Sequence, residues 1–72
     1  MKVVLVENFL REEIQVQSLK ADELSVALQC KHITFDHTRF QIMGSEMIVP
    51  KYSPIADSTP YVILFVIVVN EL

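Results

Sequence analysis

A run of nine apolar residues, YVILFVIVV, occupies positions 61–69 of this 72-residue chain. Pro60 precedes the run, and Asn70 and Glu71 follow it. A membrane-spanning helix needs about 20 apolar residues, so a run of this length predicts no span. Six of the nine residues are valine or isoleucine, which fit a pleated strand better than a helix. The run therefore predicts a strand buried on both faces.

Two segments nearer the N-terminus predict further strands. Residues 2–6, KVVLV, repeat the fully apolar pattern on a shorter scale. Residues 14–18, IQVQS, alternate apolar with polar side chains, as a half-buried strand does.

Residues 24–30, LSVALQC, fit two different structures. A strand would alternate its side chains and place Val26 opposite Val16 across a turn. A helix over about residues 19–30 agrees with the high helix propensity of LKADELSVALQ. We favour the strand and keep the helix as the alternative.

Residues 32–50, HITFDHTRFQIMGSEMIVP, predict a three-stranded meander. A turn at 36–39 would place Phe35 opposite Phe40, an aromatic cross-strand pair. The Gly-Ser pair at 44–45 fits a two-residue hairpin turn of type II′. Both turns predict the same buried face, so the two interpretations support each other.

These segments together predict one domain over residues 1–72, of mainly β class. We expect a small antiparallel, barrel-like sheet of five to six strands with the buried strand at its C-terminal end. The alternative is an α+β domain in which one helix, at about 19–30, packs on the sheet.

The last strand is apolar on both faces, and one sheet can cover only one of them. The second face needs curling of the sheet, a helix, or another copy of the chain. An uncovered apolar strip of this size would promote aggregation. We therefore expect a symmetric homo-oligomer. The predicted interface residues are Tyr61, Ile63, Leu64, Phe65, Ile67 and Val69.

Charge and cysteine content limit the partners and the compartment. The six basic residues are spread evenly and the net charge is −3, whereas nucleic-acid binding needs a basic cluster. We expect no nucleic-acid partner. The N-terminus lacks the apolar region of about 7–15 residues that a secretory signal carries. A single cysteine, Cys30, allows no intramolecular disulfide, so we expect a cytoplasmic protein.

Four side chains of metal-ligating type cluster in CKHITFDH: Cys30, His32, Asp36 and His37. On one continuous strand Cys30, His32 and Asp36 would share a face, and their atoms suit Zn²⁺. Their spacing differs from the two close pairs of structural zinc sites, so they are candidates and we assign no metal site. A single glycine excludes a glycine-rich phosphate loop. We predict neither an enzyme nor a cofactor.

The function that these observations favour is a small non-enzymatic interaction or accessory protein that self-associates through its apolar strand. Small proteins of phages and mobile elements include many of this type. The alternative is a small metal- or ligand-binding protein that uses Cys30, His32, Asp36 and His37.

Overall fold

The computed structural model describes residues 1–56 and 58–71. In this part of the chain, five strands form one curled mixed sheet, with one short helix beside it. The predicted class, mainly β, is confirmed. The elements in chain order are β1 (Lys2–Glu7), β2 (Glu13–Ser18), α1 (Ala21–Cys30), β3 (His32–Phe35), β4 (Thr38–Ile48) and β5 (Tyr61–Glu71).

The nine-residue apolar run lies in β5, at the centre of the sheet order β2-β1-β5-β4-β3. β5 pairs with β4 in the antiparallel sense and with β1 in the parallel sense. The prediction of an all-antiparallel sheet is therefore wrong for this pair. A parallel pair needs a long crossover connection, and the intervening chain from β2 to β4 supplies it.

The helix alternative at residues 24–30 is correct and the favoured strand there is wrong. β2 pairs with β1, with Val16 opposite Val4, so the expected pair of Val16 with Val26 does not form. Acidic residues in the first turn of α1 suit the helix dipole. The Glu23 carboxylate also accepts a 2.9 Å hydrogen bond from the Lys20 amide, which satisfies one N–H at the helix start.

The hairpin turn predicted at residues 44–45 does not form, because β4 continues through it as one strand of 11 residues. Both halves of β4 pair with β5, and the register shifts between Ile42 and Gly44. A bulge of this kind absorbs one extra residue, here Met43, without ending the strand. The long apolar β5 thus provides a partner for both halves, and the pairing outweighs the local turn preference of the Gly-Ser sequence.

A tight turn joins β3 to β4, as expected, but its register differs by two residues. Phe35 lies opposite Thr38, and Phe40 lies opposite Ile33. A shift of two residues keeps each side chain on its face of the sheet. Phe35 and Phe40 therefore remain on the same side, and the predicted buried face survives the change in this hairpin.

Asp36 and His37 form this turn with positive φ angles of 48° and 66°. Two successive positive φ values define the type I′ turn, which favours glycine at its second position. We expect His37→Gly to stabilise the protein by about 0.5–1 kcal/mol, because glycine removes the left-handed backbone cost. Urea unfolding checks this. Thr34→Gly, in the adjoining strand, is the control and should destabilise; a lower urea midpoint for His37→Gly would contradict the assignment.

The core lies between α1 and one face of the sheet, which we call the inner face. Leu24 is the buried residue of α1. Around this core, the partly buried residues are Leu19, Ile33, Phe35 and Ile42. The residues of the core cluster are Val3, Leu5, Leu24, Phe40, Val62, Leu64 and Val66.

Candidate functional site

The outer face, opposite α1, carries the second apolar side of β5. Val62, Leu64 and Val66 are buried in the core, and successive side chains of a strand point to opposite faces. The intervening residues Tyr61, Ile63, Phe65 and Ile67 therefore point outward, and all four are only partly buried. β5 is apolar on both faces, as expected, but its outer face is only partly buried in the single chain.

β1 continues this apolar surface on the parallel side of β5. Val4 lies opposite Ile63, and Val6 lies opposite Phe65; directly paired residues share a face. Val4 is only 6% exposed and lies between Val16 of β2 and Ile63 of β5. The outer surface of β1 and β5 is thus already close-packed laterally.

In the middle of the edge strand β2, at residues 15–17, the polarity is the reverse of what a water-facing outer surface requires, whereas Glu13 and Ser18 at its ends point outward opposite Val6 and Lys2. Gln15 and Gln17 lie opposite Leu5 and Val3, which are core residues of the inner face. The apolar Val16 lies opposite Val4 and points outward, where it is exposed. A strand whose outer face met only water would carry its polar residues there.

A polar border limits the apolar surface on the side of β3 and β4. Gln41 and Glu46 lie opposite Ile67 and Ile63, and so point outward. The same face of the β3–β4 hairpin carries His32, Thr34 and Arg39. We call the apolar part the apolar strip; it comprises Val4, Val6, Val16, Tyr61, Ile63, Phe65 and Ile67.

Two cations lie over the aromatic rings of the apolar strip. The Lys2 ammonium is 4.8 Å from the centroid of the Tyr61 ring. The Arg11 guanidinium is 4.4 Å from the centroid of the Phe65 ring. Such contacts contribute about 0.5–1 kcal/mol at exposed sites. They place positive charge over two of the aromatic side chains of the strip.

The chain exposes more surface than a folded monomer of its size usually does. Its accessible surface is 5134 Å², against about 4,600 Å² expected from an 8.3 kDa mass. Its radius of gyration is 12.8 Å, against about 11 Å for a compact domain of this length. Exposed apolar side chains outside the strands, such as Phe9, Tyr52 and Ile55, contribute to this additional surface.

The predicted interface residues are divided by the fold. Tyr61, Ile63, Phe65 and Ile67 come together on the apolar strip. Leu64 lies on the inner face and is fully buried in the chain's own core. Val69 is exposed and lies where the register between β4 and β5 shifts.

The candidate metal ligands do not share a strand face, and that expectation is wrong. Cys30 is the exposed last residue of α1. Lys31 follows with a positive φ of 64°, which turns the chain before His32 begins β3. Asp36 and His37 lie in the turn beyond β3. Within residues 1–56 and 58–71, no three His, Cys, Asp or Glu side chains are grouped closely enough to hold a metal ion.

Sequence reasoning missed the turn that follows β1, at residues 8–11, which we call the tip. Phe9 and Leu10 at the tip are 75% and 72% exposed. The Glu7 carboxylate accepts hydrogen bonds from the amides of both residues. The signal was present in the sequence as two large apolar residues inside an otherwise polar turn.

A small pocket lies at the opposite end of β1. Its cavity volume is about 250 Å³, below the roughly 300–1,000 Å³ typical of small-molecule sites. Two prolines and a tyrosine give it apolar walls, and one lysine gives it positive charge. The lining residues are Lys2, Pro50, Thr59, Pro60 and Tyr61.

No protein-family model, curated protein or solved structure matches this chain. In the described residues, the helical structure lacks the length and apolarity needed to cross a membrane.

Proposed function

We propose that this protein is a small non-enzymatic interaction or accessory protein that self-associates through the apolar strip. The single observation that carries the proposal is the polarity of β2 at residues 15–17. Its glutamines point to the inner face and its Val16 points to the outer face. This pattern favours a second apolar layer against the outer face, and an identical copy of the chain is the simplest source of one.

In the proposed dimer, the outer faces of two copies pack against each other as a sandwich. Apolar sheet faces pack about 10 Å apart, with their strand directions within about 30°. Each buried Å² of apolar surface contributes about 25 cal/mol. The polar border on the β3–β4 side, with Glu46 and Gln41, would stay hydrated at the rim, as in known interfaces.

The proposal places this interaction in the cytoplasm. The support is the lone cysteine, whose thiol at Cys30 is free and exposed. Reducing compartments keep such thiols from forming intermolecular disulfides.

Site-specific photo-crosslinking tests the proposal. A benzophenone amino acid in place of Ile63 should crosslink two copies on irradiation, giving a band at twice the chain mass of 8.3 kDa. The matched control is the same amino acid in place of Val26, an exposed apolar residue of α1, which should give little dimer. Equal crosslinking at both positions, or none at Ile63, would contradict self-association through the apolar strip.

A further inference from the structure

We infer that two copies pack antiparallel, and that the tip of each copy fills the pocket of the other. This inference rests on the proposed function and specifies its geometry. It assigns Phe9 the role of the anchor that enters the pocket beside Lys2, with Leu10 at the rim of that pocket. Phe9 and Leu10 are largely exposed in the single chain.

Three hydrogen bonds hold the backbone of the tip in one arrangement. The amide of Phe9 donates a 2.9 Å hydrogen bond to the Glu7 carboxylate, and the amide of Leu10 donates to the same oxygen. The amide of Arg11 donates to the Glu7 carbonyl at 2.9 Å, and its guanidinium lies over Phe65. An ordered tip loses little conformational entropy on binding, which favours affinity.

The pocket matches the tip in size and in chemistry. A volume of about 250 Å³ is too small for most ligands but suits one aromatic or branched side chain. Pro50, Pro60 and Tyr61 supply apolar walls. Aromatic and aliphatic anchors that enter such pockets carry most of the affinity in many interfaces.

The net charges beside the two features are opposite, because Glu7, Glu12 and Glu13 outnumber Arg11 around the tip. Glu12 and Glu13 follow the tip and are exposed. Lys2 lines the pocket and is exposed as well. Docking of the tip into the pocket of a second copy would bring the carboxylates towards the ammonium group, a complementarity that favours this occupant over a neutral one.

The positions of the two features select the antiparallel arrangement. The pocket lies where β1 begins, at Lys2, and the tip follows the end of β1, at Glu7. In the antiparallel dimer, the two-fold axis lies in the interface plane and runs perpendicular to the strands. It places the tip end of each copy over the pocket end of the other. The two contacts are then identical and the dimer is closed.

The buried area also calls for contacts beyond the apolar strip. Three strands spaced about 4.8 Å apart and about six residues long cover roughly 300 Å² per copy. Two strips together give about 600 Å², below the roughly 1,200–2,000 Å² of stable interfaces. Two tips and two pockets add the missing area, since one buried aromatic side chain covers about 150–250 Å².

A charge exchange between two variants tests the inference. Lys2→Glu alone and the double variant Glu12→Lys, Glu13→Lys alone should each raise the dimer dissociation constant at least tenfold. An equimolar mixture should restore wild-type affinity, because every tip–pocket contact in the mixed dimer again joins opposite charges. Energy transfer between dyes attached to Cys30, the only cysteine, measures the mixed dimer; a mixture no tighter than its components overturns the inference.

A second variant distinguishes failure of this inference from failure of the proposed function. Phe9→Ser with Leu10→Ser alters side chains that the fold leaves exposed, and it should also weaken the dimer at least tenfold. If Ile63→Lys gives a monomer while the tip and charge variants keep wild-type affinity, the inference fails and the proposed function stands. If none of these variants changes the mass, both fail.

Discussion

Leu64→Lys is expected to leave the chain unfolded at 25 °C. Leu64 is fully buried in the middle of the central strand, with β1 on one side and β4 on the other. The substitution removes a core side chain and buries an unpaired ammonium group, a combination that costs more than about 4–5 kcal/mol. A chain of this length has a free energy of unfolding of only about 4–11 kcal/mol. Circular dichroism and a thermal melt measure the loss.

Val68→Lys is the matched control for this substitution. Val68 lies in the same strand and opposite Phe40, but it is exposed, so its ammonium group would reach water. We expect this variant to melt cooperatively within a few degrees of the wild type. A cooperative melt of Leu64→Lys near the wild-type temperature would contradict the core described above.

Ile63→Lys, one residue away, is expected to fold but to be monomeric. Ile63 points to the outer face, where its side chain is partly exposed in the single chain. In the proposed dimer, each copy would bury an unpaired lysine, at about 3–5 kcal/mol each. The dimer dissociation constant should therefore rise at least a hundredfold. Light scattering on a sizing column measures the mass, and circular dichroism shows whether the fold is kept.

Thr34→Lys serves as the control on the polar part of the outer face. Thr34 lies on β3, opposite Arg39, and is exposed. Its substitution should leave the mass unchanged. An Ile63→Lys variant with the mass and the affinity of the wild type would exclude the apolar strip as the interface. The contrast between neighbouring residues 63 and 64 thus separates the interface from the core.

Most strands could be predicted from the sequence because their patterns are strong. The apolar run in β5 and the shorter one in β1 fit no other element. Residues 24–30 were harder, because the strand interpretation depended on pairing with β2. β2 instead found its partner in β1, a choice between distant segments that local patterns do not encode. The same long-range pairing kept β4 continuous through Gly44, against its local turn preference.

The surface could be predicted only in part, for a related reason. The alternation of β5 identified two apolar faces, but which one faces the core depends on where α1 packs. Leu64 was therefore grouped with Ile63 and Phe65, although the fold puts it on the inner face. The tip and the pocket depend on three-dimensional placement, since Lys2 and Pro50 are far apart in the sequence.

The absolute mass of the wild-type protein in solution tests the central claim most directly. Light scattering on a sizing column, over at least a tenfold range of concentration, gives this mass without a shape assumption. Self-association through the apolar strip predicts a dimer, at twice the 8.3 kDa of the chain, that dissociates on dilution below its dissociation constant. A monomer of 8.3 kDa at every concentration up to the millimolar range would contradict it.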